Sequence, residues 1–294
     1  MFNNCINLLS VDFSEVKQND NFILKYYETD IYDYYYSMDY IFNNCTSLTS
    51  INFEYKKEDN SSNIYIISSK YMFNNCYSLT ELHLSKINFK KNLNNMFSNC
   101  ISLIYVYLNN LNYYGDDLNI SYIFYNCTSL VSLTFPSESM TIPQDMSYSF
   151  AYCTSLKNLE LDFDYYYYDN FYTYNMSNAF RNCTSLVSIT LKFVLLYLDM
   201  SRLFMGCYSL ESIILNSKNS FDIPYAKYIN GMFIDCYSLY YVSFLEEGLI
   251  FANDLIDISY MFSGASITEV DFSNIETNNI INYEGLFYDC EFLY

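Results

Sequence analysis

Basic residues, histidine and glycine are scarce in this chain, and each scarcity excludes a class of function. Lys and Arg number 14 against 33 Asp and Glu, a formal charge of -19, so the basic surface that binds a nucleic-acid backbone is missing. The chain has a single histidine, His83, and no Cys-x-x-Cys pair, so the ligand spacing of a zinc site is absent. The six glycines form no phosphate-cradling loop. We therefore expect no nucleic-acid partner, no metal and no cofactor.

Long hydrophobic runs are also absent. The longest aliphatic run, residues 193–198, ends at Asp199, far short of the roughly 20 residues that cross a bilayer. The first residues, Met1 to Cys5, have neither the basic stretch nor the apolar core of a secretory signal, and they match the middle of a repeat. We expect no membrane insertion by this chain, and we interpret it as a fragment cut within a repeat at both ends.

What the chain does contain is one repeat, copied along its whole length. Hydrophobic residues make up 52% of the sequence, enough for a continuous core. All ten cysteines belong to the repeat, whose average period of about 28 residues is typical of solenoids. Ala265 replaces the cysteine in the tenth copy. Three residues before each of these positions stands a phenylalanine: Phe2, Phe42, Phe73, Phe97, Phe124, Phe150, Phe180, Phe204, Phe233, Phe262 and Phe287.

The residues around each phenylalanine predict a short helix. Apolar residues one and four positions before it follow the spacing of a helix face, as in Met176, Ala179 and Phe180. Five positions before it stands a Ser, Asn or Asp that could cap the helix start, with Tyr228 the exception. Two positions after it stands an Asn, Asp or Gly that tolerates a left-handed helix exit, with Tyr152 the exception. About two turns of helix fit between these caps.

The residues after each cysteine predict a short strand. A Leu three residues on is followed by apolar residues at positions six and eight, as in Leu48, Ile51 and Phe53. Stacked copies would form a parallel sheet on one side, helices on the other and a shared core between them. The tenth copy is one residue short before Ile267, so we expect a local distortion there. We favour a ladder of buried free thiols over disulfide bridges.

The pattern Phe-x-x-Cys-x-Ser-Leu-x-x-(Ile/Leu/Val)-x-(Leu/Phe), preceded by segments such as residues 175–180, closely resembles the BspA-like leucine-rich repeat family. The resemblance covers essentially the whole chain. The predicted fold is an α/β solenoid: one right-handed leucine-rich-repeat superhelix of about eleven repeats over residues 1–294, with a parallel sheet on one face and short helices on the other. Members of the family are typically surface-exposed or secreted and bind host matrix, receptors or other cells.

The resemblance thus implies a non-enzymatic adhesion or recognition module at the cell surface or in secreted form. The alternative is a cytoplasmic scaffold for protein–protein interaction. A hydrolase that uses His83 is a third class, which no nucleophile motif supports.

The outward strand positions, five, seven and nine residues after the cysteine, are mostly acidic, polar or aromatic. Such a face is commonly the binding surface of a solenoid. We predict that it recognises a protein or glycan, with a basic partner or a cation suited to its carboxylates. The alternative is a sheet face kept polar for solubility. The candidate residues are Glu54, Glu81, His83, Tyr105, Tyr107, Glu160, Asp162, Lys192, Glu269 and Asp271.

Tyrosine is abundant, with 36 residues, many of them in insertions such as residues 32–40 and 165–174. We expect these insertions to form loops along one edge. They would add contact area for a ligand, or they would reflect biased composition without a binding role. The open ends of the stack predict exposed strand edges and self-association.

Overall fold

One repeat of the sequence forms one turn of a β-solenoid in the computed structural model. The structure describes residues 1–12, 25–27, 35–52, 65–84, 88–108, 118–134, 142–162, 174–192, 197–216, 227–242, 255–270 and 277–293. A strand follows each repeat cysteine position from Cys5 to Ala265, and a second extended segment precedes each repeat phenylalanine from Phe42 to Phe287. The solenoid and its parallel sheets are as predicted.

The strands are short, between two and five residues each. In chain order they are β1 (Ser10–Asp12), β2 (Lys25–Tyr27), β3 (Tyr35–Ser37), β4 (Ser50–Asn52), β5 (Tyr65–Ser68), β6 (Glu81–His83), β7 (Asn88–Asn92), β8 (Tyr105–Tyr107), β9 (Ser132–Thr134), β10 (Asn158–Asp162), β11 (Tyr174–Asn175), β12 (Ser188–Lys192), β13 (Tyr197–Asp199), β14 (Ser212–Asn216), β15 (Tyr241–Val242) and β16 (Glu269–Val270). A 3-10 helix spans Thr277–Asn279.

Strands that follow the repeat cysteine form parallel sheets, and we call this side of the solenoid the strand face. Its sheets are β1–β4, β6–β8–β9, β10–β12–β14 and β15–β16. Equivalent residues of successive repeats pair directly, so that Leu82 lies opposite Val106. Burial alternates along β6, β8, β10 and β12: in β6, Leu82 is buried, whereas Glu81 and His83 are exposed. The predicted alternation between core and solvent is confirmed.

A second line of strands runs ahead of the repeat phenylalanines. Strands β3, β5 and β7 pair in parallel, as do β11 and β13. Strand β2 pairs antiparallel with β3, so part of the long insertion between Cys5 and Cys45 adds a strand to this sheet. Tyr35 and Tyr36 therefore lie in a strand rather than in a loop, and residues 163–173 lie outside the described residues. Single bridges continue the line through Asn92, Asn119, Asp145 and Asn175, and through Asp199, Tyr228, Asp257 and Asn282.

The prediction of short helices on the opposite face is wrong. No α-helix occurs in the described part of the chain, and the segment around each phenylalanine forms tight turns instead. The amide of Cys45 donates to the carbonyl oxygen of Phe42, three residues back, at 3.1 Å. Alternate amides donate to the next turn of the solenoid, as that of Phe42 does to the oxygen of Met72 at 2.9 Å. An α-helix cannot supply such bonds, because its amides are used within the helix.

A left-handed residue two positions before the phenylalanine explains why these turns replace a helix. Tyr40 has φ 60°, Tyr71 has 55° and Tyr122 has 56°. A right-handed helix cannot continue through such a residue. The stacked turns nevertheless bury the residues one and four positions before the phenylalanine, such as Met176 and Ala179, just as a helix would. We call the side that these turns build the turn face.

The predicted capping positions are correct except at Ser68, although they cap turns rather than helices. At Ser68 the amide of Lys70 donates to Oδ1 of Asp39 instead, at 2.8 Å. Oδ1 of Asp199 accepts a hydrogen bond from the amide of Ser201 at 2.8 Å, and the equivalent bond recurs in other repeats. The left-handed exit two residues after the phenylalanine is also present. Asn44 has φ 59° there, and even the sequence exception, Tyr152, has φ 66°.

Phenylalanine rings and thiols form two ladders in the core. The eleven rings stack in succession from Phe2 to Phe287, with centroids 5.2 to 5.8 Å apart. Repeat thiols donate to the carbonyl oxygen of the phenylalanine one turn earlier, as Cys127 does to Phe97 at 3.0 Å. All ten cysteines are free, and eight of them are buried. The expected ladder of buried thiols is confirmed.

The tenth copy is distorted where we expected it. Residues 265–268 lack the turn that follows the cysteine in other repeats. The copy is one residue short, so the amide that bonds back to the previous turn belongs to Thr268, which donates to Tyr240 O at 2.9 Å. Ala265 and Ile267 remain buried. The core is therefore continuous through the deletion.

Candidate ligand-binding face

Strands β6 and β8 bring four of the candidate residues together on the strand face. Parallel pairing places Glu81 opposite Tyr105 and His83 opposite Tyr107. The side chain of Val106 between the tyrosines is buried, which fixes β8 on the core. Strand β9 continues the sheet on the far side of β8. We call the group of Glu81, His83, Tyr105 and Tyr107 the aromatic patch.

Ring stacking orders part of the aromatic patch. The imidazole of His83 lies on the phenol ring of Tyr107, with centroids 4.6 Å apart and planes within 10°. Tyr105 is 41% exposed, and Glu81 is exposed beside it. Because the stacked rings of His83 and Tyr107 are already held in place, these side chains lose little conformational entropy when a ligand binds. Tyrosine is also among the residues that contribute most to binding at protein interfaces.

The remaining candidate residues are not part of this patch. Glu160 and Asp162 lie in β10 and Lys192 in β12, where the pairing puts Asp162 opposite Lys192. Glu269 lies in β16. The candidate set is thus distributed over separate sheets of the strand face. Two members, Glu54 and Asp271, lie outside the described residues.

The thiol ladder is unsuited to nucleophilic chemistry. Burial raises the pKa of the thiols of Cys100 and Cys183 to about 12 each, although a backbone hydrogen bond works in the opposite direction. Such thiols are protonated at neutral pH, and the reactive species is the thiolate. Among the described residues, no group of three or more His, Cys, Asp or Glu side chains could hold a metal ion. Nor does the described part of the chain contain a helix long and apolar enough to span a bilayer.

The recurring phenylalanine and cysteine positions match a known family. The profile of the BspA type leucine rich repeat region matches the chain in six copies, over residues 33–157, 120–177 and 172–294. This chain belongs to the BspA-type leucine-rich repeat family. No curated protein matches the chain.

Several solved structures resemble this BspA-type chain. A leucine rich cell surface protein from Faecalibacterium prausnitzii is 14% identical with a TM-score of 0.33, and the alignment covers 75% of this chain and 62% of that protein. A leucine-rich repeat protein from Eubacterium ventriosum is 14% identical, with a TM-score of 0.29 and coverage of 87% and 96%. An internalin from Listeria monocytogenes is 15% identical, with a TM-score of 0.31 and coverage of 86% and 80%. The chain thus spans less than two thirds of the first of these proteins.

The sequence interpretation missed a row of tyrosines on the turn face of this BspA-type solenoid. They stand two residues before the repeat phenylalanines, and we call this row the tyrosine column. Tyr40 stacks on Tyr71 at 5.0 Å, and Tyr122 stacks on Tyr148 at 4.8 Å. The recurrence was visible in the sequence, but a helix would not have aligned these rings. The column reads Tyr40, Tyr71, Asn95, Tyr122, Tyr148, Asn178, Arg202, Gly231, Tyr260 and Gly285.

Around Tyr122 the tyrosine column broadens into a cluster. Tyr125 meets Tyr122 at 5.4 Å with a tilt of 54°, and it meets Tyr152 edge-on at 5.5 Å and 73°. Burial raises the pKa of Tyr122 and Tyr125, and neighbouring phenols raise it further. These phenols therefore stay neutral at physiological pH and are available as hydrogen-bond donors.

Proposed function

We propose that this chain is a non-enzymatic ligand-binding module of a cell-surface or secreted protein, and that it recognises a protein partner through the strand face. The observation that carries the proposal is the aromatic patch, in which His83 and Tyr107 are stacked beside the exposed Tyr105 and Glu81. The surface location rests on what the BspA-type family implies about its members.

The charge of the chain favours a partner with basic groups. The formal charge is -19, and Glu81 adds a carboxylate to the aromatic patch. Opposite charge on a partner speeds association and suppresses wrong partners, and its effect weakens with added salt. The aromatic rings would supply most of the binding energy, and the carboxylates around them would favour partners that carry Lys and Arg.

The test is an array of extracellular-protein peptides probed with the full chain, followed by affinity measurements on the variants Tyr105→Ala and Tyr107→Ala. We expect the strongest bound peptides to be basic, and each variant to weaken their binding about tenfold or more. Tyr208→Ala is the matched control, because Tyr208 is 44% exposed, like Tyr105 at 41%, but lies next to a repeat cysteine rather than on the strand face.

Equal affinity of the wild type and both strand-face variants would refute recognition through this patch. Location is tested separately, by labelling intact producing cells with a reagent that cannot cross membranes. Labelling of the protein, or its recovery from the medium, is the expected result. Protein found solely inside the cells would refute the surface assignment and favour an intracellular scaffold.

A further inference from the structure

The tyrosine column has one gap that is flanked by aromatic rings on both sides. Tyr71 lies one turn before Asn95, and Tyr122 lies one turn after it. With about 4.8 Å between neighbouring parallel strands, the two tyrosines stand about 10 Å apart along the solenoid. One face of Tyr71 is covered by Tyr40, and one face of Tyr122 by Tyr148. Their other faces are turned towards the turn that carries Asn95.

The side chain of Asn95 does not replace the missing ring. Its Nδ2 donates to Oδ1 of the adjacent Asn94 at 3.0 Å, so the amide is directed along the turn. Asn94 is held in turn by a 2.7 Å hydrogen bond from its Nδ2 to Oγ of Ser121. We call the space above Asn95, between the rings of Tyr71 and Tyr122, the tyrosine slot. It has the width of one further ring at the spacing of the column.

Neutral hydrogen-bonding groups run beside the tyrosine slot. Two residues after the phenylalanines of the first five repeats, asparagine side chains form an amide ladder. In it, Asn99 donates to Asn75 at 2.9 Å and Asn126 donates to Asn99 at 2.9 Å. Each amide offers both donors and acceptors, and a ladder leaves part of this capacity for a ligand. An uncharged ligand with many hydroxyl groups matches this chemistry.

We propose that the tyrosine slot binds a pyranose ring of a neutral saccharide. The C–H groups of a sugar ring carry slight positive charge, and they are attracted to the negative faces of the aromatic rings on both sides. Hydroxyl groups at the rim of the sugar pair with the asparagine amides of the turn face and with the phenol groups of the tyrosines. An acidic saccharide is disfavoured by the chain's charge of -19. This site is separate from the strand face and goes beyond the function proposed above.

The sharpest test fills the slot with a new aromatic ring and leaves Tyr71 and Tyr122 in place. Tyrosine already occupies the equivalent position at Tyr40, Tyr71 and Tyr122 with φ between 55° and 60°, and Asn95 has φ 56°, so Asn95→Tyr suits the backbone. The new ring would complete the stack from Tyr40 to Tyr148. We expect its affinity for saccharide to fall at least tenfold, while its melting temperature stays equal or rises.

The control is Arg202→Tyr, which adds the same ring at an equivalent position, with φ 55°, where Asn178 and Gly231 are the column neighbours. The full chain is first applied to an array of neutral and acidic oligosaccharides. Calorimetric titration of each variant then uses the neutral oligosaccharide that gives the strongest signal. Arg202→Tyr should bind like the wild type.

A second variant tests the proposal in case Asn95→Tyr folds poorly. Tyr71→Asn removes one wall and installs the residue that the column itself carries at Asn95 and Asn178. It should also weaken binding about tenfold. The proposal is overturned if the array shows no neutral saccharide bound, if only acidic saccharides bind, or if the folded slot variants retain wild-type affinity. Loss of binding in the slot variants, with wild-type affinity in Arg202→Tyr, supports it.

Discussion

The thiol ladder predicts that this solenoid unfolds readily at alkaline pH. The pKa of the thiols of Cys100 and Cys183 is raised by burial to about 12 in the folded chain, against about 8.5 for a thiol in water. Above about pH 8.5 the unfolded chain therefore releases these protons while the folded chain keeps them. The folded state binds more protons, so its stability is complete below that pH and falls as the pH rises.

The size of the effect follows from the two thiols. Each pH unit above about 8.5 costs about 1.4 kcal/mol per thiol, so Cys100 and Cys183 together cost about 4 kcal/mol by pH 10. The double variant Cys100→Ala/Cys183→Ala removes the part of the loss that these two thiols contribute, while the other buried thiols of the ladder remain. It should be less stable at pH 7 by about 1 kcal/mol per site, because alanine leaves a small cavity. Alanine already occupies the equivalent core position at Ala265, which is buried.

The assay is urea denaturation under reducing conditions at several pH values from neutral to alkaline, followed by circular dichroism. The stability of the double variant should fall by about 4 kcal/mol less than that of the wild type between pH 7 and about pH 10. Leu156→Ala is the control, because it removes a buried apolar side chain without a titrating group. It should lower the free energy of unfolding equally at every pH, so the slope of stability against pH should not change. Parallel curves for the wild type and the double variant would refute the assignment of buried, protonated thiols.

Further predictions concern the ladders, the caps and the ends. Phe124→Ala removes a ring stacked on both sides, at 5.2 and 5.6 Å, and should lower the free energy of unfolding by about 4 kcal/mol. The ring of Phe287 is partly exposed, so Phe287→Ala should lower it by less than half as much. Asp199→Ala removes a cap and should cost about 1 kcal/mol in urea denaturation. In a thiol titration of the native chain, the eight buried thiols should react slowly, and rapid reaction of all ten would contradict their burial. Sedimentation velocity should show concentration-dependent association, and a single monomeric species at all concentrations would argue against self-association.

The candidate site was only partly predictable from the sequence. Alternation in β6 and β8 was sufficient to place Glu81, His83, Tyr105 and Tyr107 outside, because a strand exposes every second side chain. Their pairing into one patch depends on the register between turns. The tyrosine column was not predicted, because its alignment depends on a backbone conformation that the helix interpretation did not contain.

The amino-acid sequence alone determined the repeat, the core and the capping positions of this protein. Burial of Phe124 or Cys127 follows from a pattern repeated in every turn, and the left-handed exit at Asn44 follows from the residue type. The tertiary structure alone decided between helix and turn. In the stacked turns, every second backbone amide donates its hydrogen bond to the next turn of the solenoid, as the amide of Phe42 does to the carbonyl oxygen of Met72. The apolar spacing fits a helix and the stacked turns equally well, so hydrogen bonds between turns made the choice.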